Sequence, residues 1–539
     1  MPFGADGATP PGGSGPQRVM RESSSLPPNR SLPPLEPLDS ANRDLLACVH
    51  PPDWRNPTPI SRYDLVVIGG GTAGLVTAAG AAGLGARVAL VERHLLGGDC
   101  LNTGCVPSKS ILRCARAAAA ARRAAEFGLR GADAPEVDFG AVMERMRRQR
   151  AKLAPHDSAR RFAELGVDVF LGHARFVDPA TVEVEGARLR FGRAAIATGA
   201  RATVPEVPGL GDAAPRTHET VFNLTERPRR LAVLGGGPVG CELAQAFRRL
   251  GSEVLLLHRH DHLLDREDAE AADVLQETLR REGLELALDA ELLRVETNPA
   301  ARVLHYRTPA GLRRTEVDAI LVATGRTPNI EHLDLAAAGV TADPRRGVHV
   351  DPYLRTANPR IFACGDVCLP WKFTHAADAS ARVLVQNALF SLGPLGRRRW
   401  TDLVVPWCTY TDPEIARLGL SASEARDRGL AIDSFTLPFD RVDRAITDGD
   451  TAGFVRIHTR RGTGTIVGAV IVGAGAGDLI GEVAVAMAGR IGLGRLAGVI
   501  HPYPTRAEAL RKVGDLYNRT RLTEGRRRLL RGWLRWRTA

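Results

Sequence analysis

The chain has 539 residues, 44% of them hydrophobic, which is ample for a buried core and too long for one ordinary domain. Its net charge of +11 would suit nucleic acid, but the arginines are scattered among acids as on a solvated surface, so no nucleic-acid partner is expected. Clean apolar runs of about 18 residues or more, the length a membrane span needs, are absent; the nearest, Gly464 to Ile480, is broken by glycines, carries Asp478 and reads as buried strands and turns.

The amino terminus lacks the basic segment and apolar stretch of a secretory signal, so a cytoplasmic location is expected. In that compartment thiols are kept reduced, and eight cysteines are then catalytic or inert rather than staples. Residues 1–60 are rich in Pro, Gly and Ser, show no sustained periodicity and read as a disordered extension.

Order is expected from Tyr63. Asp64 to Ile68 reads as a buried strand running into Gly69-Gly70-Gly71-Thr72-Ala73-Gly74 and an alanine-rich helix. Gly69 allows the tight turn, Gly71 lets backbone approach a pyrophosphate, and Gly74 lets helix and strand pack closely. The unpaired N–H groups of the helix start would face the anion. A second strand, Arg87 to Val91, ends at Glu92, 18 residues past Gly74, where a carboxylate can accept ribose hydroxyls.

Between residues 97 and 109 stands Gly-Gly-Asp-Cys-Leu-Asn-Thr-Gly-Cys-Val-Pro-Ser-Lys. Residues five apart in a straight helix are separated by roughly 7.5 Å along the axis, too far for a relaxed disulfide, so a Cys100–Cys105 pair requires a bend. Gly104 frees the backbone for it, and Pro107 suits the first turn of a helix from Ser108 onwards. Near that helix start the Cys105 thiolate would be stabilised. The alternative is a pair of buried inert thiols, as Cys114, Cys241, Cys364 and Cys368 are read. Zinc would want further ligands at short spacing, and no resident metal is expected.

The strand–glycine–helix unit recurs from Arg230 to Arg259, with Gly235, Gly237 and Gly240 and a second strand Glu253 to Leu257, so two dinucleotides are implied. The position 18 residues past Gly240 is His258, followed by Arg259. A missing carboxylate beside arginine favours a 2′-phosphate, hence NADPH over NADH; the alternative is an Arg259 that simply points to solvent.

In this ordered set of motifs the chain resembles the pyridine nucleotide-disulfide oxidoreductases, the family of dihydrolipoyl dehydrogenase, glutathione reductase and mercuric reductase. Further stretches carry the resemblance: Ala197-Thr198-Gly199, Ala323-Thr324-Gly325-Arg326-Thr327-Pro328-Asn329, and Ile361 to Val367 containing Asp366. It implies an α/β fold of two Rossmann-like domains, for FAD and NAD(P), with an α+β dimerisation domain and a homodimer. The expected limits are 61–209 with 336–402 for FAD and the central region, 210–335 for NAD(P), 403–523 for dimerisation and 524–539 for a basic tail. By resemblance Cys105 is the flavin-facing thiol, Cys100 the interchange thiol, Lys109 the lysine near the flavin with Glu242 as its partner, and Asp366 a contact of the FAD ribityl chain.

The family's dithiol enzymes carry a histidine before Pro-Thr and a glutamate five positions on; here Tyr503 takes the histidine's place and Glu508 keeps the glutamate's. A phenol near pKa 10 is a poor proton shuttle at neutral pH beside an imidazole near 6.5. His501 lies two residues upstream, as a stand-in or as a packing residue. A tyrosine there is a mercuric reductase feature, although no cysteine follows Cys408 and residues 1–60 offer only Cys48. The expectation is a mercuric reductase-like enzyme whose acceptor is a metal ion such as Hg(II), a quinone or another electrophile. The alternatives are a dihydrolipoyl dehydrogenase, and a flavoprotein without turnover tethered to a membrane partner. Finally, Arg526 to Arg537 alternates arginine with Leu and Trp, suiting either an anionic membrane surface or a terminal helix packed on its own protein.

Overall fold

The structure is a computed structural model that describes residues 35–129, 136–299 and 301–539. Its first sheet places Tyr63–Ile68 between the parallel strands Val88–Glu92 and Ala187–Ile196, with Val167–Leu171 outside Val88–Glu92. These strands are short, β-branched and leucine-rich, and buried on both faces, as parallel strands under helices must be. Ile361–Ala363 joins the same sheet beside Ala187–Ile196, so the chain leaves this layer and returns to it.

In between, a second parallel sheet runs Glu285–Ala287, Glu253–Leu257, Arg230–Leu234, Ala319–Val322. The carboxyl-terminal part is a five-stranded antiparallel sheet from Pro406–Thr409 to Ile466–Gly473, whose core also includes side chains of helices Ala476–Ala488 and Glu508–Thr520. Two Rossmann-like layers and an α+β unit are the expected architecture.

Three local expectations need correction. Residues 1–60 are not wholly disordered: residues 1–34 lie outside the described residues, but Ser40–Val49 is a helix capped by Asp39. Ala41, Asn42, Leu45, Leu46 and Val49 are buried on one face, an i, i+4 pattern that the surrounding prolines obscure in the composition. The apolar stretch from Gly464 is one strand, Ile466–Gly473, followed by a helix rather than by further strands. The terminal helix, Glu524–Thr538, buries none of its residues and so does not pack on its own chain. Among the described residues no helix is long and apolar enough to cross a membrane.

Candidate active site

The redox segment bends where glycine allows. Cys100 lies on the short helix Gly98–Asn102, and Cys105 opens the helix Cys105–Arg122, three residues before the start expected from Pro107. Gly104 stands at the break; a Cβ there would sit 2.8 Å from the Asp99 carbonyl oxygen, so no larger residue fits without movement. The helix start has no side-chain cap, and Cys105 is its first residue, at the positive end of the helix dipole.

Both cysteines are thiols and hydrogen-bond to each other. The hydrogen bond from Cys100, with help from the Thr374 hydroxyl at 3.3 Å and the Lys109 charge, holds the Cys105 thiol below its ordinary range. Cys100 moves the opposite way, because the shared hydrogen bond and burial both favour its protonated form. The pair is therefore unequal, with negative charge favoured on Cys105 and the proton on Cys100.

One helical turn on, Lys109 pairs with Glu242 at 2.8 Å, and the other Glu242 oxygen accepts from the Tyr410 N–H at 2.9 Å. The Lys109 ammonium also lies 4.6 Å from the Tyr410 ring centroid. Glu242 belongs to helix Pro238–Arg249 of the second nucleotide unit and Tyr410 to the antiparallel unit, so three parts of the chain meet beside the cysteines.

The two glycine turns are superimposable in their bonding. Gly69 and Gly235 have φ of +107° and +108°, and their N–H groups donate to Val91 and Leu257 at 2.8 Å each. Space beside Gly71 is open, the nearest atom to a Cβ being 3.6 Å away, and beside Gly237 nothing lies within 4 Å. Both residues cap their helices without a side chain. Glu92 accepts from Gly70 N–H at 2.6 Å, and His258 Nδ1 accepts from Gly236 N–H at 2.9 Å. The His258 ring is buried with Nε2 unpartnered, whereas Arg259 is exposed and donates to His260.

Thr198 and Gly199 do not stand alone: Thr198 Oγ1 donates to the Asn329 carbonyl at 2.6 Å, and Asn329 N–H donates to Gly199 at 3.0 Å. Thr203 N–H donates to Gly325 at 3.0 Å, so the two motifs clip the two sheets together. A cavity runs between the Gly69 turn, Glu92 and Thr198. Asp366 is half-buried in the turn Gly365–Val367, its carboxyl raised by desolvation, 3.9 Å from Arg326.

Tyr503 and Glu508 are held within the antiparallel unit. Tyr503 is 71% exposed and donates to Asp443 at 2.9 Å, which raises its phenol above the ordinary value. Glu508 accepts from Arg511 at 3.0 Å. His501 is half-buried, with Nε2 hydrogen-bonded to the Glu482 carboxylate at 3.0 Å.

The sequence reading missed Thr374 and His218. Thr374 opens helix Thr374–Val385, 269 residues from the thiol it meets, and its one local signal was a hydroxyl at a helix start soon after Asp366. His218 lies 3.5 Å from Asp99, the residue before Cys100, and Asp99 also pairs with Arg326; nothing in the local sequence signals this cluster.

Residues 63–382 match the family model for pyridine nucleotide-disulphide oxidoreductases, and residues 405–513 match the dimerisation domain of the same family. The mercuric reductase of Streptomyces lividans is 35% identical over 461 residues, covering 84% of this chain and 96% of that protein. A dihydrolipoyl dehydrogenase of Thermus scotoductus is 33% identical over 469 residues, 84% of this chain and 97% of its own. Among solved structures, the Cu(II) complex of the HOCl-induced flavoprotein disulfide reductase RclA from Escherichia coli has a TM-score of 0.75 at 28% identity, covering 85% of this chain and all of that one.

The chain belongs to the pyridine nucleotide-disulphide oxidoreductases. That family is FAD- and NAD(P)H-dependent, and the dimerisation domain supports a homodimer.

Proposed function

We propose that this protein is a mercuric reductase-like oxidoreductase that passes two electrons from NADPH to a thiophilic metal ion through the Cys100–Cys105 pair. The observation that carries this reading is the Cys100–Cys105 pair held across the Gly104 bend, with Thr374 on the Cys105 sulfur and Lys109 one turn on, in a chain whose proton-shuttle position in the sequence holds Tyr503. Exchange with a dithiol substrate needs a base to move thiol protons, and a phenol raised further by Asp443 is a poor one. A soft metal ion needs no such base, because coordination itself displaces the proton from the thiol.

The residues fit both cofactors. The open space at Gly71, the uncapped helix start behind it and the Glu92 carboxylate suit the pyrophosphate and ribose of FAD. Gly237 and the unpartnered His258 Nε2 suit a nicotinamide dinucleotide. When bound, FAD supplies the two-electron relay between nicotinamide and the cysteines. Lys109 and Glu242 fix a positive charge one turn from Cys105, Thr374 holds the Cys105 sulfur, and Cys100 receives the electrophile. Two thiolates plus an ion such as Hg(II) give a bis-thiolate, and two electrons release the metal as the neutral atom. The same reading divides the chain into 61–209 with 336–402, 210–335 and 403–523, with Tyr503 and Glu508 completing the site of the partner subunit. The RclA structure bears Cu(II), which supports a metal-ion acceptor for this chain.

The test is anaerobic titration of the purified holoenzyme with NADPH and NADH, followed by turnover with Hg(II), Cu(II) and dihydrolipoamide. Uptake of two electrons with a long-wavelength thiolate–flavin band, retained in Cys100→Ala and lost in Cys105→Ala, is the expected result. Turnover with dihydrolipoamide and NAD matching that with metal ions would instead make this a dihydrolipoyl dehydrogenase.

A further inference from the structure

The helix Glu524–Thr538 stands outside both family matches, the second of which ends at residue 513, so the dimerisation unit is complete without it. It carries six arginines and one acid, Glu524, which pairs internally with Arg528 and Arg531. Its other side-chain hydrogen bonds run to its own turns or to Arg521. At 100° per residue, Leu529, Leu530, Trp533, Leu534 and Trp536 fall on one arc of about 160°. Arg527, Arg528, Arg531 and Arg535 occupy the other side, and Arg526 and Arg537 fall within the apolar arc in angle but at the two ends of the apolar residues along the helix axis.

All five apolar side chains are between 48% and 75% exposed, and the Trp533 and Trp536 rings touch with centroids 5.1 Å apart. Fifteen residues make a rod of about 22 Å, shorter than the roughly 30 Å hydrocarbon core, so the helix can lie on a bilayer but not cross it.

We propose that this helix is a docking surface for an anionic phospholipid membrane, lying in the headgroup plane with its leucines and tryptophans inserted and its arginines on lipid phosphates. Charge selects the occupant. A second copy of the helix would bring six arginines against six, whereas an anionic leaflet neutralises them while the apolar arc leaves water. Tryptophan suits the boundary between headgroups and acyl chains, and long arginine stems let the terminal guanidinium groups reach back to the headgroups. A homodimer presents two such helices, and binding both to one surface multiplies the affinity of each.

The experiment is sedimentation of the holoenzyme with vesicles of phosphatidylcholine alone or mixed with phosphatidylglycerol. The expected result is at least tenfold stronger binding to the mixed vesicles at low salt, largely lost near 1 M salt where the Debye length is about 3 Å. A chain ending at Leu522, the variant Trp533→Ser/Trp536→Ser and the variant Arg527→Gln/Arg528→Gln/Arg531→Gln/Arg535→Gln should each fall to the level seen with phosphatidylcholine. Each should keep its flavin and its dimeric sedimentation coefficient. Equal binding by the chain ending at Leu522, or no preference for the anionic vesicles, overturns the proposal. A higher oligomer in the absence of vesicles that the truncation reduces to a dimer would assign the face to a second copy. Binding to duplex DNA that survives the double tryptophan change, without vesicle binding, would assign the charge to nucleic acid.

Discussion

The turn after Tyr63–Ile68 and the turn after Arg230–Leu234 share their backbone bonding, yet Gly70 N–H is met by a carboxylate and Gly236 N–H by an imidazole. In the first unit burial raises the Glu92 carboxyl, while the N–H groups of Gly70 and His94 act to keep it charged. In the second, burial lowers the His258 imidazole and the Gly236 bond requires a bare Nδ1, so the ring is neutral with its proton on the unpartnered Nε2. One scaffold thus offers an acceptor at the first site and a donor at the second. On the proposed reading, the shared glycines set where a dinucleotide lies and the residue closing the turn biases which ribose is bound.

The largest effect should come from the glycines common to both. A Cβ on Gly74 would stand 1.7 Å from the Gly69 oxygen, and one on Gly240 would stand 1.9 Å from Gly235. Gly74→Ala should lower flavin affinity at least 100-fold, about 2.7 kcal/mol, read as flavin content after purification. Gly240→Ala should keep the flavin but slow its reduction by NADPH to a similar degree in stopped flow. Loss of the flavin in both would show that the two turns do not act separately.

A smaller change sharpens the comparison. His258→Glu gives the second turn the acceptor of the first, and kcat/KM should move about tenfold from NADPH toward NADH, ~1.4 kcal/mol. Arg259→Ala should move it about threefold in the same direction, because the exposed guanidinium is screened. An unchanged ratio in both variants would leave the 2′-phosphate recognised elsewhere.

The smallest effect is one of pH. With His258 lowered in the fold, the unfolded chain binds more protons below about pH 6.5, so this contribution is complete above that value and is lost as pH falls through it. The loss in melting stability between about pH 7.5 and about pH 5.5 should be smaller in His258→Gln than in the parent protein, read as the difference in Tm between the two pH values.

What could be read from the sequence was what is local. The glycine turns, the acid or histidine 18 residues on, and the bend at Gly104 are each set within about 20 residues, where backbone geometry dictates residue type. Lys109 with Glu242 came from resemblance, since the two stand 133 residues apart in the chain and 2.8 Å apart in the fold. Thr374 and His218 were not legible because a hydroxyl or imidazole can serve many roles, and only the fold brings them to Cys105 and Asp99. The helix Ser40–Val49 was hidden by its proline-rich surroundings, although its spacing of buried residues was present in the sequence.

That helix reaches the redox segment from behind. Leu96 N–H donates to Val49 at 3.1 Å, and buried Arg150 bridges Asn42 Oδ1 at 2.6 Å to the Asn102 carbonyl at 2.7 Å, between the two cysteines in sequence. Arg147 pairs with Asp39 at the start of the same helix. The segment before Tyr63 therefore works as a splint: trimming the chain to the family-matched region would leave a buried guanidinium half-satisfied and the dithiol loop loose on one side. A shortened gene or a protease-resistant fragment that preserves the cysteine geometry has to begin ahead of Asp39.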